Sequence, residues 1–436
     1  MKKLIIAALG LAVSLPLFAA ESTDSQALIK QGEYLARAGD CVACHTAKGG
    51  KPFAGGLGME TPIGTVYSTN ITPDKTGIGS YSFDDFDKAV RHGIGKSGSS
   101  LYPAMPYPSY ARVSDADMQA LYAYFMNGVE PVAEPNKDTD IPWPLSMRWP
   151  LAIWRTMFAP PVQAYAAPAG SDPVISRGAY LVEGLGHCGA CHTPRALTMQ
   201  EKALSGGEND QFLAGSAPLE GWIAKSLRGD HKDGLGSWSE EQLVQFLKTG
   251  RSDRSAVFGG MSDVVEHSMQ YMSDADLTAM ARYLKTLPAS DPNDKPQQYD
   301  PQVAQALWKG DDSKAGAAVY IDNCAACHRT DGHGYTRVFP ALAGNPVLQS
   351  ADATSLIHIV LKGGTLPATH TAPSTFTMPG FAWRLSDQEV ADVVNFIRTS
   401  WGNQGEPVKP GDVADLRSDD MKHTSGDDLG QVTEHK

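Results

Sequence analysis

Three pentapeptides carry most of the chemistry legible in this sequence: CVACH at residues 41–45, CGACH at 188–192 and CAACH at 324–328. Together they use all six cysteines of the chain, so no thiol is left over for a structural disulfide elsewhere. A bare Cys-x-x-Cys in an exported chain would be oxidised or would serve disulfide exchange. The histidine directly after the second cysteine changes that reading, because Cys-x-x-Cys-His is the attachment signature of c-type haem. Two thiols at this spacing reach two vinyl groups on one edge of a porphyrin and form thioethers, and the adjacent histidine lies under the iron. Cys41 and Cys44, Cys188 and Cys191, and Cys324 and Cys327 are therefore expected to hold three covalent haems, with His45, His192 and His328 as proximal ligands. A zinc ribbon would need two Cys-x-x-Cys pairs closing on one metal. Here the pairs lie 147 and 136 residues apart, each with its own histidine. A thioredoxin-like site would need a single motif at a strand-to-helix turn.

The sixth ligand decides what such an iron does. Histidine alone leaves a face open to substrate, whereas histidine with methionine closes the site and raises its potential, which suits electron transfer. Met378, in TMPGF, is the single methionine between Cys324 and the end of the following helical stretch. Met105, in AMPYPSY, holds the matching place after the first motif. A proline follows each, keeping the methionine extended. After the second motif both Met261 and Met269 precede the last helical stretch. Met261 is preferred, because Met269 leaves little chain to reach an iron, and a histidine could still replace it there. Met59, Met118 and Met126 are placed too early or within a helix. His92, His187, His231, His267, His333, His358 and His370 hold no repeated position and read as ordinary, as do His423 and His435 in the tail.

Repeated elements must position these groups. A helical stretch opening on glycine precedes each motif: GEYLARAGD from Gly32, GAYLVEGLGH from Gly178 and GAAVYIDN from Gly316. The glycine predicts a close helix crossing. After each motif comes an amphipathic helix opening on a serine cap and acidic residues: SDADMQALYAYFMNG from Ser114, SDADLTAMARYLKTL from Ser273 and SDQEVADVVNFIRTS from Ser386. Glu389 adds a capping box to the third. Residues 76–93 and 233–250 repeat a glycine turn, an aromatic residue, a serine cap and a helix. The expected fold is all-α: three tandem cytochrome c-like domains, each wrapped round one haem, at 21–140, 173–290 and 313–402. A hydrophobic, proline-rich linker (141–172), a second linker (291–312) and a polar, disordered tail (403–436) complete the chain.

The first 20 residues read as a cleaved signal peptide, with a basic start at Lys2 and Lys3, an apolar run over 4–13 and small residues at Ala19 and Ala20. The chain of 436 residues carries a net charge of −12, which disfavours nucleic acid as a partner. No later stretch is long and apolar enough to span a membrane. Residues 141–161, IPWPLSMRWPLAIWRTMFAPP, combine three tryptophans with Arg148 and Arg155, which suits either a lipid headgroup surface or a packed interdomain linker. Pro142, Pro144 and Pro150 argue against a long regular helix there.

Several longer strings resemble one family: TPIGTVYSTNITPDKTGIG, PAMPYPSYARVSDAD, IPWPLSMRWPLAIWRTMF, CHTPR and GGMSDVVEHSMQYMSDADL. They are similar to the triheme cytochrome c subunits of bacterial membrane-bound alcohol, gluconate, sorbitol and fructose dehydrogenases, over nearly the whole chain. The resemblance implies Met261 as the second segment's iron ligand. It also implies a large flavin- or PQQ-dependent dehydrogenase partner, a small chaperone-like third subunit, and electron delivery to ubiquinone. Peripheral attachment on the periplasmic side of the inner membrane follows from it too. General likeness leans toward an FAD-dependent gluconate 2-dehydrogenase type over a PQQ-dependent alcohol or aldehyde dehydrogenase. Two other readings are a haem enzyme with one open iron and a cytochrome feeding a terminal oxidase. No substrate chemistry of the chain's own is expected, and no G-x-G-x-x-G fingerprint sits between strand and helix.

Overall fold

A computed structural model describes residues 18–424 apart from residue 220. Most of the expected signal peptide (1–17) and the end of the tail (425–436) lie outside the described residues. The first CxxCH segment comprises α1 (Phe18–Ala38), α2 (Cys41–Cys44), a hairpin of β1 (Gly58–Thr61) and β2 (Gly64–Tyr67), α3 (Phe83–His92), α4 (Tyr107–Tyr110) and α5 (Asp115–Asn127). After α6 (Trp149–Phe158), the second has α7 (Pro173–Ala179) running into a π-helical turn (Tyr180–Leu185), then α8 (Gly189–His192), α9 (Glu240–Thr249), α10 (Gly260–His267) and α11 (Asp274–Thr286). The third contains α12 (Gln302–Trp308), α13 (Ala317–Asn323), α14 (Ala325–His328), α15 (Pro346–Gln349), α16 (Thr354–Lys362), the strands β3 (Gly363–Thr365) and β4 (Thr377–Pro379), α17 (Asp387–Arg398) and α18 (Pro410–Thr424).

One crossing recurs. The helix before each motif packs on the segment's last serine-capped helix: α1 on α5, α7 on α11 and α13 on α17. The glycines make it possible. A Cβ at Gly32 would lie 1.9 Å from the Ala120 carbonyl oxygen, one at Gly178 2.0 Å from that of Ala279, and one at Gly316 2.2 Å from that of Asp392. Backbone meets backbone at each crossing, so only glycine fits. Each last helix is anchored at its start as the sequence predicts. Ser114, Ser273 and Ser386 accept the N–H three residues on, and Glu389 closes a capping box on Ser386.

Among the described residues two large apolar cores are buried, beside a small cluster of Val66, Tyr102 and Ile141. One continuous apolar core runs from Leu35 through Phe125, Val182 and Leu185 to Leu284 and Leu287, joining the first two segments. A second core, from Leu307 to Val413, belongs to the third.

The structure departs from expectation in two places. The chain is mostly helical but not all-α: β3 and β4 pair antiparallel, with Met378 opposite Gly364. Pro379 keeps Met378 extended, and an extended residue facing a glycine strand pairs readily. Residues 141–172 hold the short helix α6 and no long one, as their prolines predict, with Pro150 in its first turn, where its missing N–H costs nothing. The tail is not wholly disordered. Its residues 410–424 form α18, which packs on α17 and α16 with Val413 fully buried. A few apolar residues at helical spacing were hidden by the polar composition.

Candidate haem-binding sites

Each CxxCH motif folds into one tight turn. The backbone N–H of His45 donates to the Cys41 carbonyl at 3.0 Å, that of His192 to Cys188 at 2.9 Å and that of His328 to Cys324 at 2.9 Å. First cysteine and histidine thus stand one helical turn apart on the same side. Among the described residues no disulfide joins any of the six cysteines. Burial, reinforced by the second cysteine of each motif, pushes the Cys41, Cys188 and Cys324 thiols up to about 12, so each stays protonated.

The histidines share a second feature. Nδ1 of His45 lies 2.7 Å from the Thr69 carbonyl, Nδ1 of His192 2.7 Å from the Lys225 carbonyl, and Nδ1 of His328 3.0 Å from the Pro340 carbonyl. A carbonyl can only accept, so Nδ1 carries the proton and Nε2 presents its lone pair. Burial lowers all three pKa values, which keeps the rings neutral. A neutral imidazole steered by a carbonyl on its other nitrogen has the arrangement of a metal ligand. The three carbonyls were not foreseen. Their signal is a backbone atom, which any residue type supplies.

The methionines differ in setting. Met105 is partly buried against the first core, between Tyr102 and Tyr107, whose buried hydroxyls have no protein partner. Met378 is partly buried against the second core. Met261 lies in the first turn of α10 and not in a loop, following Gly259 at φ 59° with the Trp222 ring against it. Met269 is only 3% exposed and belongs to the core. That burial assigns Met269 a packing role and leaves Met261 as the half-exposed candidate. The Trp238 indole N–H is a third buried donor without a protein partner. A ring bearing carboxylates could take up these orphaned donors, which protein groups leave unpaired at a cost. The thiols, the oriented imidazoles and the orphaned donors all fit a covalent haem. When bound, such a group supplies one-electron exchange at its iron.

Two buried carboxyls border the attachment turns. Asp40, directly before Cys41, is pushed up to about 8 by burial and by Asp263 on α10. Glu201 is pushed up to about 7 by burial, with one oxygen closing over Gly189.

Residues 29–128 and 313–401 match the family model described as Cytochrome c. The chain is 66% identical to the gluconate 2-dehydrogenase cytochrome c subunit of Pantoea cypripedii, over 92% of this chain and 93% of that protein. It is 55% identical to the alcohol dehydrogenase (quinone) cytochrome c subunit of Gluconobacter oxydans, over 95% and 87%. The fructose dehydrogenase cytochrome subunit of Gluconobacter japonicus is 37% identical, over 89% and 82%. These relatives match nearly end to end, and the motifs they would need are those whose geometry is described above. The chain belongs to the family of cytochrome c subunits of dehydrogenases, proteins of electron transfer.

Proposed function

We propose that this chain carries three covalent haem c groups and relays electrons from a periplasmic dehydrogenase subunit to ubiquinone at the membrane surface. The observation that carries the reading is the threefold CxxCH turn with each histidine Nδ1 tied to a carbonyl. Cys41 and Cys44, Cys188 and Cys191, and Cys324 and Cys327 form the thioethers. His45 and Met105, His192 and Met261, and His328 and Met378 would hold the three irons, one pair each. A methionine held with each histidine would close the iron to substrate, leaving the chain to pass electrons and its partner to do the chemistry. The greater likeness to the gluconate 2-dehydrogenase subunit than to the alcohol dehydrogenase subunit favours a flavin-dependent, sugar-acid-oxidising partner. A PQQ-dependent partner is the alternative. Haem content of the purified chain tests the first step: three covalent haems are expected, and fewer than three would overturn the reading.

Attachment to the membrane is assigned to the segment around α6. No described helix is long and apolar enough to cross a membrane. Trp143 is 80% exposed, Trp149 64% and Met157 67%, with Ile153 between the last two. Residues 149, 153 and 157 recur every four, so they form one outward stripe. Trp154 faces the other way. Its indole donates to the Thr198 carbonyl at 2.7 Å, and its ring stands edge-on to Tyr107. An exposed stripe of tryptophan and aliphatic groups suits the headgroup layer. Changing Trp143, Trp149 and Ile153 to serine should move the protein from the membrane pellet to the soluble fraction with its haem spectrum intact. Undiminished pelleting would contradict the assignment.

A further inference from the structure

The first two segments hold each other reciprocally. Tyr34, two residues after Gly32, donates its hydroxyl to Asp276 Oδ2 at 2.6 Å and accepts the Ser273 N–H at 3.2 Å. Tyr180, two residues after Gly178, donates to Asp117 and accepts the Ser114 N–H at 3.3 Å. Each segment's opening helix thereby completes the start of the other segment's last helix. Within the second segment Arg177 gives Asp276 two bonds, both 2.8 Å, and within the first Gln31 gives Asp117 one at 3.0 Å, so each carboxylate is held in place for the other segment's tyrosine. Among the described residues the third segment shows no such exchange. Ala318 stands where the tyrosine would be, and Glu389 bonds the Ser386 N–H itself at 2.9 Å.

Between these latches the two attachment turns stand back to back. His187, directly before Cys188, has Nε2 3.2 Å from the Gly39 carbonyl, two residues before Cys41. Tyr110 donates to the same oxygen at 3.1 Å, its ring edge-on to His187 at 5.6 Å. The α10 helix, which carries Met261, packs on α2, which carries Cys41 and Cys44. The apolar core passes through this contact without a break. His187 is thus not an ordinary surface histidine but a bridge between the two motifs.

We propose that the haems on Cys41/Cys44 and on Cys188/Cys191 form one fixed, directly coupled pair, its spacing set by the Tyr34–Asp276 and Tyr180–Asp117 latches. Tyr34, Tyr180, Asp117 and Asp276 are positioning residues. The inference rests on the three-haem reading above. Electron exchange weakens steeply with separation, so an interface pinned by two reciprocal latches and a shared core holds this step constant. Ordinary interdomain contacts leave room for relative motion.

The test is circular dichroism in the Soret region on the haem-loaded full chain, with haem content measured on the same sample. Two haems held close at a fixed angle give a positive-and-negative couplet, and separate haems do not. The parent protein should show the couplet. D117A/D276A should keep its haems and lose most of the couplet, whereas E389A, which removes only the capping box of the third segment's last helix, should leave it unchanged. If D117A/D276A does not take up haem, Y34F/Y180F decides the matter, with a weakened couplet expected. No couplet in the parent would overturn the proposal. So would a full couplet in whichever latch variant retains its haems. A parent chain holding fewer than three haems overturns the functional reading instead.

Discussion

Replacing Gly32 by valine should abolish stable haem attachment at the first motif. The new Cβ would sit 1.9 Å from the Ala120 carbonyl oxygen and 2.6 Å from both its carbon and the Tyr124 Cβ. Overpacking a core costs about 1–3 kcal/mol where side chains can yield. Here the obstacle is the backbone of α5, so the cost lies at or above the top of that range. It falls on a stability of about 5–15 kcal/mol for a typical domain. The strain acts where α1 delivers the chain into the 41–45 turn, so both thiols and His45 lose their anchor together. Gly178→Val repeats the clash against Ala279 and should remove the second haem in the same way. Gly207→Ala is the control, since nothing lies within 4 Å of its added Cβ. Haem content per chain and thermal melting report the outcome. A G32V protein with the parent's haem content and Tm would show that the α1–α5 crossing does not position the motif.

The second large effect separates two methionines eight residues apart. Met261→Ala should open the iron held by His192, so that the reduced variant binds carbon monoxide while the parent does not. Loss of the thioether should also lower the potential of that haem. Its effect on stability should be small, because Met261 is half-exposed on α10. Met269→Ala should do the reverse. Its side chain is 3% exposed in the shared core, and truncating a buried methionine costs about 2–5 kcal/mol. Carbon monoxide should not bind that variant. If the parent already binds carbon monoxide, the second segment carries an open iron, as a haem enzyme would. If neither variant binds it, another residue closes the site.

The parts of the site that were legible in the sequence depend on side-chain identity at a fixed spacing. Cys-x-x-Cys-His, the glycine ahead of it and the serine caps behind it each require particular residue types for a stated reason, and the structure places the glycines and caps as their chemistry demands. The parts that were not legible depend on backbone atoms or on contacts between segments. The Thr69, Lys225 and Pro340 carbonyls that orient the histidines could belong to any residue. The Tyr34 and Tyr180 latches span more than 60 residues each, so no local pattern announces them. His187 read as ordinary because it has no counterpart in the other segments, yet the contact it makes exists only once. Local chemistry also misled at the chain's end, where a polar composition hid Val408 and Val413, both buried against the second core.

The central claim is that every haem of this chain is a closed relay site between a dehydrogenase and a quinone. It is tested most directly by titrating the intact, membrane-derived complex with its own sugar-acid or alcohol substrate under carbon monoxide while the haem absorbance of this chain is followed. All three haems should be reduced, carbon monoxide should leave their spectrum unchanged, and a ubiquinone analogue should reoxidise them all. A haem that substrate cannot reduce, or that takes up carbon monoxide once reduced, would contradict it.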